Sequence, residues 1–253
     1  MKKRILFFLL GISVFAIWAY FQYSVPILLY HSINDNNGLL FVGQENFKKQ
    51  MDYLKMANFR VIDLDEFLEI MKNKKKFSHK TVVITFDDGY KDNFIYAYPV
   101  LKKYNFPATI FLITRKIGND EGYLNWDEIK EMAKSKIIDF GGHTRNHIYL
   151  PSLDDEERLW EEIPGCKEDI EKNTGLTVKY FSYPIGGFSE KIKGMLKKAG
   201  YSAGLTTNRG YDLRNLRDPY EINRISVRDE SLLKFRIKVS GYYNLFRKGK
   251  RPY

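Results

Sequence analysis

Short apolar runs alternate with amphipathic stretches along most of the chain. Runs rich in β-branched and aromatic residues predict eight strands, at residues 26–30, 59–62, 81–86, 108–113, 137–140, 178–183, 202–206 and 222–227. Apolar residues recur at helical spacing in six segments between them, at residues 44–57, 64–71, 94–104, 126–133, 154–173 and 190–199. This alternation favours an α/β fold with a parallel sheet and helical crossovers, which seven or eight strands would close into a barrel.

The amino terminus has a different pattern. Three basic residues at positions 2–4 precede an uncharged, mostly apolar stretch at 5–21. About 20 apolar residues are needed to cross the hydrocarbon core, and the flank of this stretch lacks the small residues that signal peptidase prefers. We therefore expect residues 1–24 to be an uncleaved signal anchor, with a cleaved signal peptide or a buried core helix as alternatives. Residues 25–253 would then form one domain outside the cell membrane.

Composition and charge narrow the possible partners. The 253 residues are 44% hydrophobic, which is enough for the core of one α/β domain. Lys and Arg outnumber Asp and Glu by 41 to 31, and the formal charge of +10 favours anionic surroundings such as lipid headgroups or acidic wall polymers. No nucleic-acid-binding motif is present, so we expect no nucleic acid partner, and we expect a monomer. Cys166 is the only cysteine, so no intramolecular disulfide can form.

Polar residues directly follow four of the predicted strands. They are His31 after the first strand, Asp87 and Asp88 after the third, His143 and then His147 after the fifth, and Pro184 with Gly186 and Gly187 after the sixth. The loops at the carboxyl ends of parallel barrel strands form one mouth, so we expect these residues to meet there. One carboxylate and two imidazoles would leave coordination positions open on zinc or a similar divalent metal, which indicates hydrolysis. Taken singly, Asp-Asp-Gly after a strand is more typical of a turn. The pair His143 and His147 is as typical of a surface pair or a cap, and His31 fits a satisfied rim histidine.

Three of these segments resemble the signature motifs of a known enzyme family. The sequence at 85–89, Thr-Phe-Asp-Asp-Gly, and the spacing His143-x-x-x-His147 resemble the first two motifs of the polysaccharide deacetylases, the carbohydrate esterases with a NodB homology domain. The segment Phe-Ser-Tyr-Pro-Ile-Gly at 181–186 is similar to the third motif of the branch that deacetylates poly-N-acetylglucosamine in biofilm matrices. The resemblance covers about residues 26–239 and implies a distorted (β/α)7-8 barrel of the NodB type.

The resemblance also implies a role for each matching residue. Asp88, His143 and His147 are similar to the family's metal triad, which implies a divalent metal, most often Zn²⁺, with Co²⁺ or Ni²⁺ as alternatives. Asp87 corresponds to the base that activates water. The third motif implies an oxyanion-binding and substrate-binding segment that comprises Tyr183, Pro184, Ile185 and Gly186, with the backbone N–H of Ile185 as the donor.

Two departures from the family pattern affect proton transfer. The usual third motif carries an arginine that orients the catalytic aspartate, and the usual fifth motif carries a late histidine that acts as general acid. This chain has neither, since no histidine follows His147. The biofilm branch implies that His31 is the acid, and Arg224, at the end of a late strand, is the candidate partner of Asp87 or else part of a surface ion pair. Ile185 replaces an aromatic residue of many relatives, so the substrate preference is open.

Taken together, the resemblance implies a membrane-anchored extracellular hydrolase of the carbon–nitrogen bond. Such an enzyme would remove acetyl groups from N-acetylglucosamine units of a surface polysaccharide and release acetate. Poly-β-1,6-N-acetylglucosamine is the first expected substrate and peptidoglycan the second. Three alternatives are an O-deacetylase of a decorated polysaccharide, a catalytically silent wall-binding module of the same fold, and a non-haem iron oxygenase. The oxygenase is disfavoured because its carboxylate ligand usually follows the first histidine closely.

Overall fold

The computed structural model describes residues 14, 18, 22–36, 38–73, 77–208 and 218–245. The predicted anchor at 1–24 lies almost entirely outside the described residues. Across the described ranges, we find no helix that combines the length and the apolar character needed to cross a membrane.

All strand pairs in the described part of the chain are parallel. The strands are β1 (Ile27–Tyr30), β2 (Ser32–Ile33), β3 (Phe41–Val42), β4 (Arg60–Val61), β5 (Thr81–Phe86), β6 (Ala108–Leu112), β7 (Ile138–Gly142), β8 (Tyr180–Ser182), β9 (Ala203–Leu205) and β10 (Ile225–Ser226). The main sheet has the order β10-β1-β5-β6-β7-β8-β9, β4 pairs with the first half of β5, and β2 pairs with β3. The prediction of a parallel α/β fold is therefore confirmed.

The two edges of the main sheet meet at one short segment. Leu28 of β1 pairs with Ile225 of β10, while Ile222, three residues earlier, forms a bridge with Leu205 of β9. The sheet is thus curled on itself and joined irregularly at residues 222–226. Because this segment changes partner midway, the strand predicted at 222–227 is regular over only two residues.

Helices follow most of the strands. Between residues 22 and 245, the described chain contains α1 (Gln44–Met56), α2 (Leu64–Lys72), α3 (Tyr98–Tyr104), α4 (Trp126–Lys134), α5 (Glu156–Glu162), α6 (Pro164–Thr174), α7 (Glu190–Lys198) and α8 (Leu232–Lys238). A π-helix, Asn93–Ala97, leads into α3. Side chains mark several starts, as where Asn125 and Glu128 form a capping box at α4 and Ser189 accepts a hydrogen bond from the Ile192 N–H at α7.

The helix predicted at 154–173 is two helices, so that prediction was wrong. The helix α5 ends at Glu162 and α6 begins at Pro164. Proline lacks the N–H that would continue the helix, and its ring disfavours helical backbone before it, so the chain turns at this point. Three short elements, β2, β3 and α8, were not predicted, because two-residue strands show no periodicity and α8 buries few side chains.

Alternation along the strands divides the core into two layers. Residues of one parity, such as Leu28 and Ile84, pack beneath the helices, whereas Val83, Phe111 and Tyr180 of the other parity belong to a separate cluster inside the curled sheet. Residues of α2 join this inner cluster at the amino ends of the strands. The interior is therefore apolar at that end, and each large side chain buried there contributes about 1.5–3 kcal/mol.

Cys166 gives a direct test of this packing. Its thiol is buried, lies 3.6 Å from the Leu112 carbonyl oxygen, and has a pKa raised by burial to about 12. We expect the native protein to react far more slowly with a disulfide reagent than the guanidinium-unfolded protein, because the thiolate is the reactive form and the reagent has no access. Absorbance of the released thiol measures both rates, with Cys166→Ser as the blank. Rapid stoichiometric labelling of the native protein would contradict the packing.

Candidate active site

The residues that the sequence singled out meet at the carboxyl ends of the strands. Asp87 and Asp88 directly follow β5, His143 directly follows β7, and His31 directly follows β1. Asp87 and His143 are almost fully buried. The parallel pairing of β1 with β5 and of β6 with its two neighbours brings these loops to one end of the curled sheet.

Asp88, His143 and His147 form a cluster whose ligand atoms lie within 4.8 Å of one another. Asp88 Oδ1 is 3.3 Å from His143 Nε2 and 3.6 Å from His147 Nε2. Atoms bound to tetrahedral zinc at about 2.0–2.1 Å lie about 3.3 Å apart, so the spacing fits an ion. The same Asp88 oxygen is buried and, among the described residues, has no partner that meets hydrogen-bond geometry, which is costly unless a ligand binds it. The donor set and its geometry therefore fit a divalent metal.

The backbone of this cluster is left-handed at several positions. Asp88, Thr144 and His147 have φ values of 75°, 64° and 57°. This conformation costs an L-residue about 1–2 kcal/mol, and such strain persists where the surroundings enforce it. Thr144 Oγ1 accepts a hydrogen bond of 2.8 Å from the His147 N–H, which closes the loop between the two histidines.

The two histidines are held differently. His143 Nδ1 donates to the Ser182 carbonyl oxygen at 2.7 Å, so its Nε2 faces Asp88. Burial would lower the pKa of His143, but the nearby Asp87 and Asp88 charges raise it overall. His147 is 38% exposed in its side chain. Its pKa is lowered, first by burial and then by the neighbouring His143.

Arg224 forms a two-pronged ion pair with Asp87, the partner that the sequence indicated. Its Nη1 and Nη2 atoms lie 2.7 Å from Asp87 Oδ1 and Oδ2, and both side chains are buried. The guanidinium also donates to Thr206 O, Thr85 Oγ1 and Ser182 Oγ. Burial alone would raise the pKa of Asp87, but the charges of Arg224, His143 and His31 and the hydrogen bonds from Arg224 together hold this pKa well below its usual range. The buried negative charge of Asp87 is therefore paired with a positive charge, and the guanidinium has three further acceptors.

His31 lies in the same electrostatic environment. Burial lowers its pKa, and the charges of Asp87 and Asp88 offset this only partly. Its carbonyl oxygen accepts a hydrogen bond of 2.8 Å from Asn93 Nδ2, so the π-helix anchors the backbone of this loop.

In the segment after β8, most side chains are buried and only that of Ile185 is exposed. The Tyr183 hydroxyl donates to the Tyr220 carbonyl oxygen at 2.9 Å and its ring is buried, so this side chain belongs to the core. Pro184 is also buried, whereas Ile185 is 58% exposed and has φ 59°. A Cβ on Gly186 would lie 2.2 Å from Thr207 Oγ1, so this position requires glycine. Positive φ at a β-branched residue is a genuine outlier.

Two groups beside the site were not predicted from the sequence. Ser182 contacts both Asp87 and Arg224. It occupies an inward-facing position of the buried strand β8, and a hydroxyl group at such a position is the signal that could have identified it. Tyr90 stacks on Tyr123 with ring centroids 5.0 Å apart, and its pKa is raised by burial and by the neighbouring Asp88. The Tyr123 loop is distant in sequence, so no local pattern linked it to the aspartates.

Comparison with known proteins assigns the family. The sequence model described as polysaccharide deacetylase matches residues 74–204. YxkH of Bacillus subtilis, whose name places it in this family, is 36% identical over 204 residues, which are 81% of this chain and 71% of that protein. The chain belongs to the polysaccharide deacetylase family. It is accordingly a hydrolase, and the resemblance seen in its motifs is confirmed.

Further relatives of this deacetylase extend the comparison. A poly-beta-1,6-N-acetyl-D-glucosamine N-deacetylase of Staphylococcus aureus is 32% identical over 202 residues, which are 75% of this chain and 69% of that protein. A crystal structure of a Bacillus anthracis protein assigned to the family has a TM-score of 0.73 at 31% identity and covers 85% of this chain and 68% of that chain. IcaB from Ammonifex degensii has a TM-score of 0.76 at 24% identity, covers 87% and 97%, and supports the fold alone.

The Asp87–Arg224 pair predicts a large effect on stability. We expect Arg224→Met to lower the free energy of unfolding by about 3–5 kcal/mol, because the Asp87 carboxylate would remain buried without its partner. Arg224→Lys keeps the charge but not the two-pronged geometry, so its loss should be smaller. Urea unfolding in the presence of a chelator measures both. The double variant Asp87→Asn/Arg224→Met should lose less than the two single losses added together, and simple additivity would show that the pair is not coupled.

Proposed function

We propose that this deacetylase removes acetyl groups from N-acetylglucosamine units of an extracellular polysaccharide, in a metal-dependent reaction that releases acetate. Poly-β-1,6-N-acetylglucosamine is the favoured substrate and peptidoglycan the second. The observation that carries the proposal is the buried, unpartnered Asp88 oxygen, which lies between two imidazole nitrogens and beside a charge-compensated Asp87. The likeness to the Staphylococcus aureus enzyme supports the choice of polymer.

Asp88, His143 and His147 would hold the ion, with Zn²⁺ favoured and Co²⁺ or Ni²⁺ as alternatives. When bound there, a divalent ion lowers the pKa of a water molecule and polarises the acyl carbonyl group. Three protein ligands would leave the fourth coordination position open for water or substrate, as catalysis requires.

Asp87 would accept the proton of the attacking water. Its Oδ2 lies 4.0 Å from His143 Nε2, so the base stands beside the ligand cluster. Arg224 holds both carboxylate oxygens in place. Oδ2 also accepts a hydrogen bond from Ser182 Oγ, so Oδ1 is the oxygen with a second lone pair for an incoming proton. A carboxylate with a lowered pKa is a weak base, so the transfer requires a water whose own pKa is lowered as well.

His31 would give a proton to the leaving nitrogen. The lowered pKa of His31 means that its protonated form releases the proton readily, while the charges of Asp87 and Asp88 keep that form accessible. An amine leaves far more easily than an amide anion, so this step separates amide hydrolysis from ester hydrolysis.

The backbone around Ile185 would stabilise the negative charge on the acyl oxygen. The Gly186 N–H donates to Tyr183 O and the Gly187 N–H donates to Pro184 O, so both are used within the turn. The remaining candidate donor is the Ile185 N–H, in a segment whose exposed side chain would contact the sugar. Tyr183, Pro184 and Gly186 would act through their backbone positions.

Amine release from N-acetylglucosamine oligomers tests the proposal. We expect the full chain in detergent to release primary amine only when a divalent metal is present, and Asp88→Ala to lose both bound metal and activity. Metal content by mass spectrometry accompanies the assay. Release of acetate without amine would indicate an ester substrate, and bound metal without any turnover would indicate a silent binding module.

Two further variants assign the proton transfers in the same assay. Asp87→Asn should keep its metal and lose about 10²–10⁴-fold in rate, since positioned acid–base groups contribute about that much. His31→Ala should be slow on the amide yet close to wild type on an activated aryl ester, because a phenolate leaves without protonation. Full amide activity in either variant, with metal bound, contradicts the role given to that residue.

We also propose that residues 1–24 anchor the domain to the outer face of the cell membrane. The apolar stretch at 5–21 and the basic residues before it support this location. We expect the full chain to sediment with membranes and to resist extraction by high salt, whereas a chain that begins at Gln22 should be released. Beginning at Gln22 keeps the hydrogen bond between the Tyr23 hydroxyl and the Thr81 carbonyl oxygen. Membrane retention of the shortened chain would contradict the anchor.

A further inference from the structure

The loop between the two candidate histidine ligands is held from behind by two carboxylates. Arg145 Nε and Nη2 each donate to Asp169 at 2.8 Å, with Asp169 on α6. Asn146 donates from its backbone N–H to Glu162 Oε2 at 3.0 Å and from Nδ2 to Glu162 Oε1 at 2.6 Å, with Glu162 at the end of α5. Two of the three residues between the ligands, Arg145 and Asn146, are therefore fixed to one helix pair.

Glu162 is unusual among the carboxylates of this protein. It is only 4% exposed, and both of its oxygens accept hydrogen bonds from the one residue, Asn146. Within the described ranges, no lysine or arginine forms an ion pair with it. A buried carboxylate without a cation is costly, so a side chain retained in this state calls for a specific role. Removing it would leave the two N–H donors of Asn146 without their buried acceptor.

The break between α5 and α6 places Glu162 where it can reach the loop. The helix stops at Glu162 because Pro164 lies two positions farther along the chain. A Cβ on Gly165 would lie 2.6 Å from Arg145 Cζ, so glycine makes room for the guanidinium behind the loop. The short segment 162–165 therefore accommodates Arg145 and Asn146, two of the three residues that separate the ligands.

His147 needs such support more than His143 does. The ring of His143 is oriented by its hydrogen bond to the Ser182 carbonyl oxygen. For His147, no acceptor for the second ring nitrogen occurs among the described residues, and the side chain is 38% exposed. Histidine ligands are normally oriented through that second nitrogen. The His147 ring packs edge-on against His143, so its direction depends on that contact and on its own backbone, which is left-handed and directly follows Asn146.

We propose that Glu162 is a positioning residue for His147. By holding both N–H groups of Asn146, it fixes the peptide unit that carries this ligand and so sets the affinity of the site for its divalent ion. The inference rests on the proposed metal-dependent function, and it concerns a residue that touches neither the ion nor the substrate.

Metal affinity of Glu162→Gln tests this role in the full chain. The amide presents an NH₂ group to one of the two Asn146 donors, so one hydrogen bond is replaced by a donor–donor contact. We expect Zn²⁺ affinity, measured by competition with a chromophoric chelator, to fall about 10–100-fold, as is usual for partners of metal ligands. Glu161→Gln is the matched control, because it removes the same charge from the exposed neighbouring position and should leave the affinity unchanged. Wild-type affinity in Glu162→Gln overturns the proposal.

A thermodynamic cycle with His147→Ala separates positioning from a general effect on the fold. In the His147→Ala background, Glu162→Gln should cause no further loss of Zn²⁺ affinity, because the ligand on which it acts is gone. An equal loss in both backgrounds would mean that Glu162 acts on the whole site and would overturn the proposal. Co²⁺ absorption should change in Glu162→Gln and not in Glu161→Gln, which a purely structural role would not produce.

Two outcomes outside this cycle are also informative. If the wild-type chain binds no ion, the proposed metal-dependent function fails before Glu162 is tested. If Glu162→Gln does not fold, Glu162→Asp keeps an acceptor group one methylene shorter, and it should show an affinity between those of wild type and His147→Ala. Wild-type affinity in a folded Glu162→Asp protein would overturn the proposal in that case.

Discussion

The buried ion pair between Asp87 and Arg224 is the interaction on which the site depends. A carboxylate inside the curled sheet, above a floor of apolar side chains, would be too costly without a cation. Arg224 supplies that cation with two short hydrogen bonds, and its other N–H groups find acceptors on Thr85, Ser182 and Thr206. Because Arg224 lies at the segment where the edges of the sheet meet, the pair also links both sides of that join.

Two adjacent aspartates thereby acquire opposite properties. Asp87 continues the inward parity of β5 and has every oxygen satisfied by Arg224 and Ser182. Asp88 adopts φ 75°, turns toward His143 and His147, and keeps one buried oxygen without a partner. The strained backbone at Asp88 thus separates the two carboxylates. That of Asp87 forms the ion pair, and that of Asp88 faces the open ligand position. A similar division occurs in the histidine loop, where Arg145 and Asn146 bind to the helices while the two histidines face the ligand cluster.

Prediction from sequence succeeded where a local pattern carried the information. The run at 81–86 was predicted with the bounds that β5 has, since β-branched residues and the following Asp-Asp-Gly mark both the strand and its end. It failed at 154–173, where apolar periodicity continues across Pro164 and conceals the break between α5 and α6. The segment 181–186 was singled out from its sequence, but periodicity could not show that Tyr183 turns its ring into the core. Glu162 carried no signal at all, because its partner Asn146 belongs to another element.

Residue order alone determined the strand–helix alternation, the placement of polar residues after strands and the resemblance of the motifs, because these depend on chemistry within a few neighbouring residues. The folded chain decided which oxygen of which aspartate is compensated, how Arg224 reaches Asp87 across 137 positions, and which histidine has its ring oriented by a backbone carbonyl oxygen. These properties arise from burial and from hydrogen bonds between elements far apart in sequence. Their energies depend on a low-dielectric interior that exists only once the sheet has curled and the helices have covered it.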